Sequence, residues 1–435
     1  MEPSYTQITL KELNRKKVFA ALYREPRLSK TLLARNLELS LTTVDNNIKS
    51  LLQANLIVPS GELRSTGGRK ATGYEVNAQA YFGVGIFILG TQVLVSAVDL
   101  FGQPLFTTKL KLPASALESN QVYFSTLKPH LSKLLNSHNL TNDKCLGLSF
   151  ALQGTVTVSE PQTNNATVAA TSAVMPQTDI RVDYGQLMGA AQNTTLADIQ
   201  QHFTLPCTLC HDSKAAAFAE LWENPHINNA ALFLLNHNFG GALIFSNMVH
   251  YGNKGRGGLI EHLKVGDNSR QCYCGNYGCL ECYCSQQQLT EQGEQAGVDI
   301  LAFLQKHKEH KAAAAKDKTS VQLWHEYLHY LARGISNVSH LIDGKIIITG
   351  ALAPYFNEDD LQVLLQNSNE HNPSFALNAS DIILSPRSDS IVADGAGRYL
   401  VNAFLESFNT NPLRDLQYNA QTLKLNVAES VFSAD

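Results

Sequence analysis

The chain has 435 residues, is 44% hydrophobic and 17% charged, and carries a formal net charge of −4. That length allows two or three domains with sizeable cores, and no apolar run approaches the roughly eighteen residues a membrane-spanning helix needs. The amino terminus has no basic stretch leading into an apolar one, so a cytoplasmic protein without a secretory signal is expected, with no membrane partner.

The charge is unevenly spread. Residues 1–76 hold 12 Lys and Arg against 7 Asp and Glu, which leaves a basic head on an acidic remainder. A basic segment of this kind favours contact with polyanions, chiefly nucleic acid. Leu13, Val18, Phe19, Ala21 and Leu22 recur at helical spacing and predict an amphipathic helix over Leu10–Tyr23, ended by Arg24-Glu25-Pro26. Ser29 is placed to cap a second helix, Lys30–Asn36, that buries Leu32 and Leu33. Ser40 is placed to cap a third, Leu41–Ala54, with Val44, Ile48, Leu51 and Leu52 inside. Thr42, Thr43, Asn46 and Asn47 then face outward, and short hydroxyl and amide side chains near a helix start suit the reading of base edges. A hairpin over Ile57–Val76 carries Arg64, Arg69 and Lys70 around Gly67-Gly68, three cations on a tight turn that can lie against phosphates. These elements make a winged helix-turn-helix with double-stranded DNA as its partner; the alternative is a three-helix protein-interaction module.

Beyond the head, strand-like runs at Gly83–Leu89, Val93–Leu100, Leu146–Ala151, Ala231–Leu235 and Lys345–Thr349 alternate with helical ones, an α/β pattern. Cys207 and Cys210 read as small core residues flanking a strand end, with a redox pair as the alternative. Five of the eight cysteines then fall within Cys272–Cys284, ten residues after His262. His262, Cys272, Cys274 and Cys279 supply the thiolate and imidazole ligands of a closed tetrahedral Zn²⁺ site, which is a structural one. Gly275 and Gly278 let the chain turn back to the metal, while Cys282 and Cys284 are surplus to four ligands. A run of buried or oxidised cysteines is the other reading.

The segment Ser65-Thr-Gly-Gly-Arg-Lys70 and the run Cys272-Tyr-Cys-Gly-Asn-Tyr-Gly-Cys279-Leu-Glu281 resemble the head and the zinc signature of ROK-family repressors of the NagC/Mlc type. The resemblance implies a head over 1–78 and, over 79–435, an actin-like, sugar-kinase (ribonuclease H-like) body of two α/β lobes that assembles as dimers or tetramers. It also implies sugar contacts from His211, Asp212, His262 and Glu281, although Leu259 replaces one sugar-binding Glu and Asp212 also suits a helix N-cap. Glu261, two positions on, is left open as a substitute. Ile346–Ala351 matches the strand and turn near the family's adenosine pocket, and Asn164–Met175 resembles a loop over the cleft.

Both phosphate sites of the family's kinases have changed. Phe87 stands where the metal-binding Asp belongs, Leu89 replaces a glycine, and Asn236-His237-Asn238 replaces the start of a second glycine loop. Phe cannot hold a hydrated Mg²⁺, and a Leu side chain blocks backbone approach to a phosphate. The expected function is therefore a transcriptional regulator rather than an enzyme: a repressor of carbohydrate-related genes under a sugar, sugar-phosphate or protein effector. A sugar kinase with an added DNA-binding domain and a non-enzymatic interaction module are the alternatives.

Overall fold

The computed structural model describes residues 5–63, 71–158, 180–183, 194–309, 317–385 and 387–408. The head runs α1 (Tyr5–Arg24), β1 (Leu28–Ser29), α2 (Lys30–Leu37), α3 (Leu41–Gln53), β2 (Ile57–Glu62) and β3 (Thr72–Val76). Ser29 Oγ accepts from the Leu32 N–H and Ser40 Oγ from the Thr43 N–H, so both helices start where their capping residues allow. Strands β2 and β3 pair antiparallel as the wing, with β1 on the other side of β3. The wing tip, with Arg64, Arg69 and Lys70, lies outside the described residues, as does the segment Asn164–Met175.

The body is the same fold twice. The first lobe comprises β4 (Phe82–Leu89), β5 (Gln92–Asp99), β6 (Pro104–Lys111), α4 (Asn120–Ser137), β7 (Cys145–Leu152), a small sheet of β8 (Thr155–Val158), β9 (Ile180–Asp183) and β10 (Thr194–Thr195), then α5 (Leu196–Gln200), β11 (Cys207–His211) and α6 (Asp212–Glu223). Its main sheet has the order β11-β7-β4-β5-β6, an antiparallel meander with two parallel strands added beside β4.

The second lobe comprises β12 (Ala230–Leu235), β13 (Phe239–Phe245), β14 (Met248–Val249), α7 (Glu281–Cys284), α8 (Gln286–Gln295), α9 (Ile300–Lys308), α10 (Lys318–Ser339), β15 (Lys345–Thr349), α11 (Glu358–His371), β16 (Ile382–Leu384) and α12 (Ser390–Ser407). Its sheet, β14-β13-β12-β15-β16, repeats the order and the directions of the first. Both central strands are apolar along their whole length, as strands covered on both faces must be. Glu294–Lys318, read from the sequence as a solvated helix or linker, instead supplies the end of α8, all of α9 and the start of α10, and Ile300, Phe303 and Leu304 of α9 are buried in the second-lobe core.

Helix α12 crosses back over the first sheet and binds the parts together. A run of small residues lets it lie on β4 and α6: a Cβ built on Gly85 would sit 1.8 Å from the Ala393 carbonyl oxygen, and one on Gly395 would sit 1.9 Å from that of Ala215. We expect Gly85→Ala to lower stability by about 1–3 kcal/mol, the usual cost of overpacking. An unchanged denaturation midpoint would contradict this packing. The far end of α12 reaches the head, where Phe19 and Phe408 pack with ring centroids 4.5 Å apart. Tyr23 stacks on Phe101 at 4.8 Å and donates its hydroxyl to the Leu100 carbonyl. Val18, Phe19 and Leu22 thus share one core with Leu400, Phe404 and Leu405.

Candidate functional site

In the head, α3 buries Val44, Ile48 and Leu51 completely, while Thr42 and Asn46 are exposed and Thr43 is half-buried. Thr43 Oγ1 shares a hydrogen bond with Ser40 Oγ, which fixes the first turn. Asn47 departs from the expectation: it is only 4% exposed, and its Nδ2 donates to the Thr43 carbonyl. Its side chain belongs to the helix and cannot reach a base edge in this geometry. Leu32, expected inside, is 39% exposed, and Leu33 alone anchors α2. Asp45 bridges Lys30 of α2 and Lys49 of α3, and these partners, Lys30 first, hold its carboxyl down near a pKa of about 2.

The sulfur cluster is built from a tight hairpin. Gly275 and Gly278 both take positive φ, the Gly275 N–H donates to the Cys272 carbonyl, and a Cβ on Gly278 would meet the Asp267 carbonyl oxygen at 2.4 Å. His262 arrives on a single 3-10 turn, Ile260–His262. One ligand atom from each of His262, Cys272, Cys274 and Cys279 lies within 4.8 Å of the others. The Cys274 and Cys279 sulfurs are 3.8 Å apart, and Cys272 Sγ is 3.6 Å from His262 Nδ1. Tetrahedral zinc with bonds of about 2.3 Å to sulfur and 2.0–2.1 Å to nitrogen requires separations of about 3.8 and 3.6 Å, so the donor set fits that ion.

The surplus cysteines have separate roles. The Cys282 thiol hydrogen-bonds Cys272; with His262 it draws the Cys272 thiol down to about 3 against the opposing effect of burial. Cys284 is fully buried and faces the Tyr327 carbonyl. Cys207 and Cys210 are thiols on β11, with pKa values pushed up to about 12 by burial, which suits core packing. Arg270 anchors the hairpin by stacking on Tyr283 at 4.3 Å and pairing with Glu326 of α10.

Behind the cluster is a closed polar core. Asp212 opens α6, but the cap is His211, whose Nδ1 accepts from the Ser213 N–H. Asp212 Oδ1 lies 3.0 Å from His211 Nδ1 and accepts from the Ser213 N–H at 2.6 Å. Glu281 accepts from Asn238 Nδ2 and the Phe239 N–H, while burial raises its pKa to about 8. Glu261 is buried with its pKa raised by desolvation, and its Oε2 has no hydrogen-bond partner.

Two residues that sequence reasoning passed over fill the space between these groups. Lys214 is 1% exposed and donates to the His250 and Gly257 carbonyls; burial lowers its pKa to about 8 against the pull of Glu261 and Asp212. Tyr273, set edge-on to His262 at 5.2 Å, has its pKa raised by burial and by the facing Glu261, Glu281, Cys272 and Asp212. Lys214 carried a signal, being a lone cation in an alanine run. Tyr273 carried none beyond standing between two ligand cysteines.

The former phosphate sites are braced. Phe87 is fully buried in a core with Ala151 and Ala216. Asn236 Oδ1 accepts from the Ala351 N–H, and the Asn236 and His237 carbonyls accept from Gln286 and Gln287 at the start of α8. Between the lobes remains a cavity of about 510 Å³, walled by Leu89, Thr91, Gln92 and Lys109 on one side and by Asn236, His237, Gln286, Ala351 and Tyr355 on the other, with Ser388 and Asp389 at its edge.

Fold and site together define a two-lobed, sugar-kinase-like protein that carries a winged helix-turn-helix head. The pattern of the ROK family matches residues 84–355, and that of winged helix-turn-helix DNA-binding domains matches residues 12–58. The chain belongs to the ROK family. It is 21% identical to a xylose repressor of Caldicellulosiruptor bescii over 83% of this chain and 89% of the relative. It is 22% identical to the N-acetylglucosamine regulator NagC of Escherichia coli over 62% of each. Among solved structures, a ROK-family transcriptional regulator homologous to the Escherichia coli Mlc protein superposes with a TM-score of 0.64 at 19% identity, over 92% of this chain and 98% of that one. A ROK hexokinase from Thermus thermophilus superposes at 0.53 and 18% identity, over 75% of this chain and 99% of that one. No helix among the described residues is long and apolar enough to cross a membrane.

Proposed function

We propose that this protein is a DNA-binding transcriptional regulator of carbohydrate-related genes that acts as a repressor and has no kinase activity. The observation that carries the reading is the pairing of a capped, outward-facing α3 with a body whose metal and phosphate positions are occupied by Phe87, Leu89 and Asn236-His237-Asn238. Thr42, Thr43 and Asn46 would read bases in the major groove, and Arg64, Arg69 and Lys70 would grip the backbone. Two heads, and therefore a homo-oligomer, are needed for a two-fold operator. Zinc held by His262 and the three cysteines would fix the hairpin that carries Glu281 and Tyr273 into the second lobe, an architectural role. A small-molecule effector bound to the body would set the affinity of the heads.

Phosphoryl transfer depends on positioned metal and phosphate ligands, and an apolar side chain supplies neither. A coupled assay with glucose, N-acetylglucosamine, N-acetylmannosamine and fructose is expected to stay at background. Turnover above roughly 1 s⁻¹, the low end for kinases, would overturn the reading. Sequence-selective binding of genomic fragments by the full chain is its positive test.

A further inference from the structure

We infer that the regulating ligand enters the cleft between the lobes, not the polar core behind the sulfur cluster, and that it is an uncharged polyhydroxylated molecule of about disaccharide size. The inference rests on the regulator reading above and names where and to what that regulator responds.

The polar core leaves little room for a sugar. Lys214 and Tyr273 occupy the space among its acidic groups, and Asp212, Glu261 and His262 line neither of the two cavities described. The cleft, at about 510 Å³, falls within the roughly 300–1,000 Å³ of small-molecule sites and exceeds what one hexose fills.

Its chemistry selects against charge. Lys109, the one cation among the described lining residues, is paired with Asp389 at 2.9 Å, so neither a phosphate nor an amine meets an uncompensated partner. Desolvation lowers the pKa of His237, which keeps the imidazole neutral at pH 7. What remains is amide and hydroxyl: Thr91, Gln92 and Gln286, beside the ring of Tyr355. Hydroxyl groups of a sugar both donate and accept, and its ring face covers an aromatic side chain.

One donor in the wall is unsatisfied. Asn236 is 2% exposed, its Oδ1 is held by the Ala351 N–H, and its Nδ2 has no partner. A buried donor left unpaired costs about 1–3 kcal/mol, which an acceptor on the ligand removes as the walls close on it. Because the walls come from both lobes, such a ligand favours the closed arrangement over the open one.

Calorimetry on the zinc-loaded full chain tests this with maltose, cellobiose, xylobiose and N,N′-diacetylchitobiose, their monosaccharides, glucose 6-phosphate, adenosine and Mg·ATP. A neutral disaccharide is expected to bind, with the phosphorylated probes silent. Asn236→Asp, which keeps the acceptor to Ala351 and removes the donor, should weaken binding about tenfold while the thermal midpoint and ligand-free DNA binding hold. Tyr355→Ala should weaken it by a similar factor, whereas Asp212→Asn should leave it unchanged. Loss in Asp212→Asn with retention in Asn236→Asp would put the ligand in the polar core and overturn the inference. Preference for adenosine, ATP or a sugar phosphate would overturn its chemistry, and silence of every probe would overturn it outright. Sequence-specific DNA binding in that last case would leave the regulator reading standing; absence of DNA binding would remove the reading itself.

Discussion

Replacing Cys274 with Ser should strip the chain of zinc and loosen the segment from His262 to Cys284. Cys274 is the exposed member of the four, so its replacement removes a ligand without opening a hole in the core. The loss should amount to several kcal/mol of local folding free energy, because metal binding and folding of such hairpins are one equilibrium. Elemental analysis should find one zinc per wild-type chain and little in the variant. A chelator should lower the thermal midpoint of the wild type only. Cys282→Ala should retain the metal, since its thiol hydrogen-bonds Cys272 and is not among the four. Equal zinc in wild type and Cys274→Ser, or none in wild type, would refute the assignment.

The second large effect is on DNA. Asn46→Ala should cost about 1–3 kcal/mol at the preferred operator and almost nothing elsewhere, because the exposed amide is placed to read a base edge. The neighbouring substitution Asn47→Ala should do the opposite. It removes a buried hydrogen bond within α3, so it should lower stability by about 1 kcal/mol and leave sequence preference intact. Arg69→Ala should weaken binding to all sequences and flatten the salt dependence by about one unit of slope. Indistinguishable effects of the two asparagine changes would show that the rotation of α3 is wrong.

Local signals in the sequence carried further than expected. Ser29 and Ser40 stand at helix starts, and the apolar runs became the central strands, because capping and hydrophobic patterning act within a few residues. Asn47 was misjudged by residue type: its position between Val44 and Ile48 already put it on the buried stripe. Leu32 shows the converse, an apolar residue on an exposed face. The closing of the polar core was not legible. Lys214 finds its partners at His250 and Gly257, and Glu281 finds its own at Asn238 and Phe239, contacts that only the folded sheet brings together. The duplicated strand order was equally hidden, since the two halves share topology without a visible repeat in sequence.

Helix α12 begins next to Asp389, at the edge of the cleft, and ends against Phe19 of the head. Its eighteen residues span about 27 Å, so one rigid rod has an end at each place where a partner would bind. Thermodynamic linkage makes such a rod work in both directions. Whatever factor a cleft ligand imposes on operator affinity, the operator must impose on the affinity for that ligand. Ligand titrations with and without operator DNA should therefore differ by the same ratio as operator titrations with and without ligand. Occupied chromosomal sites would then sense a sugar concentration different from the one sensed by free protein in the same cell.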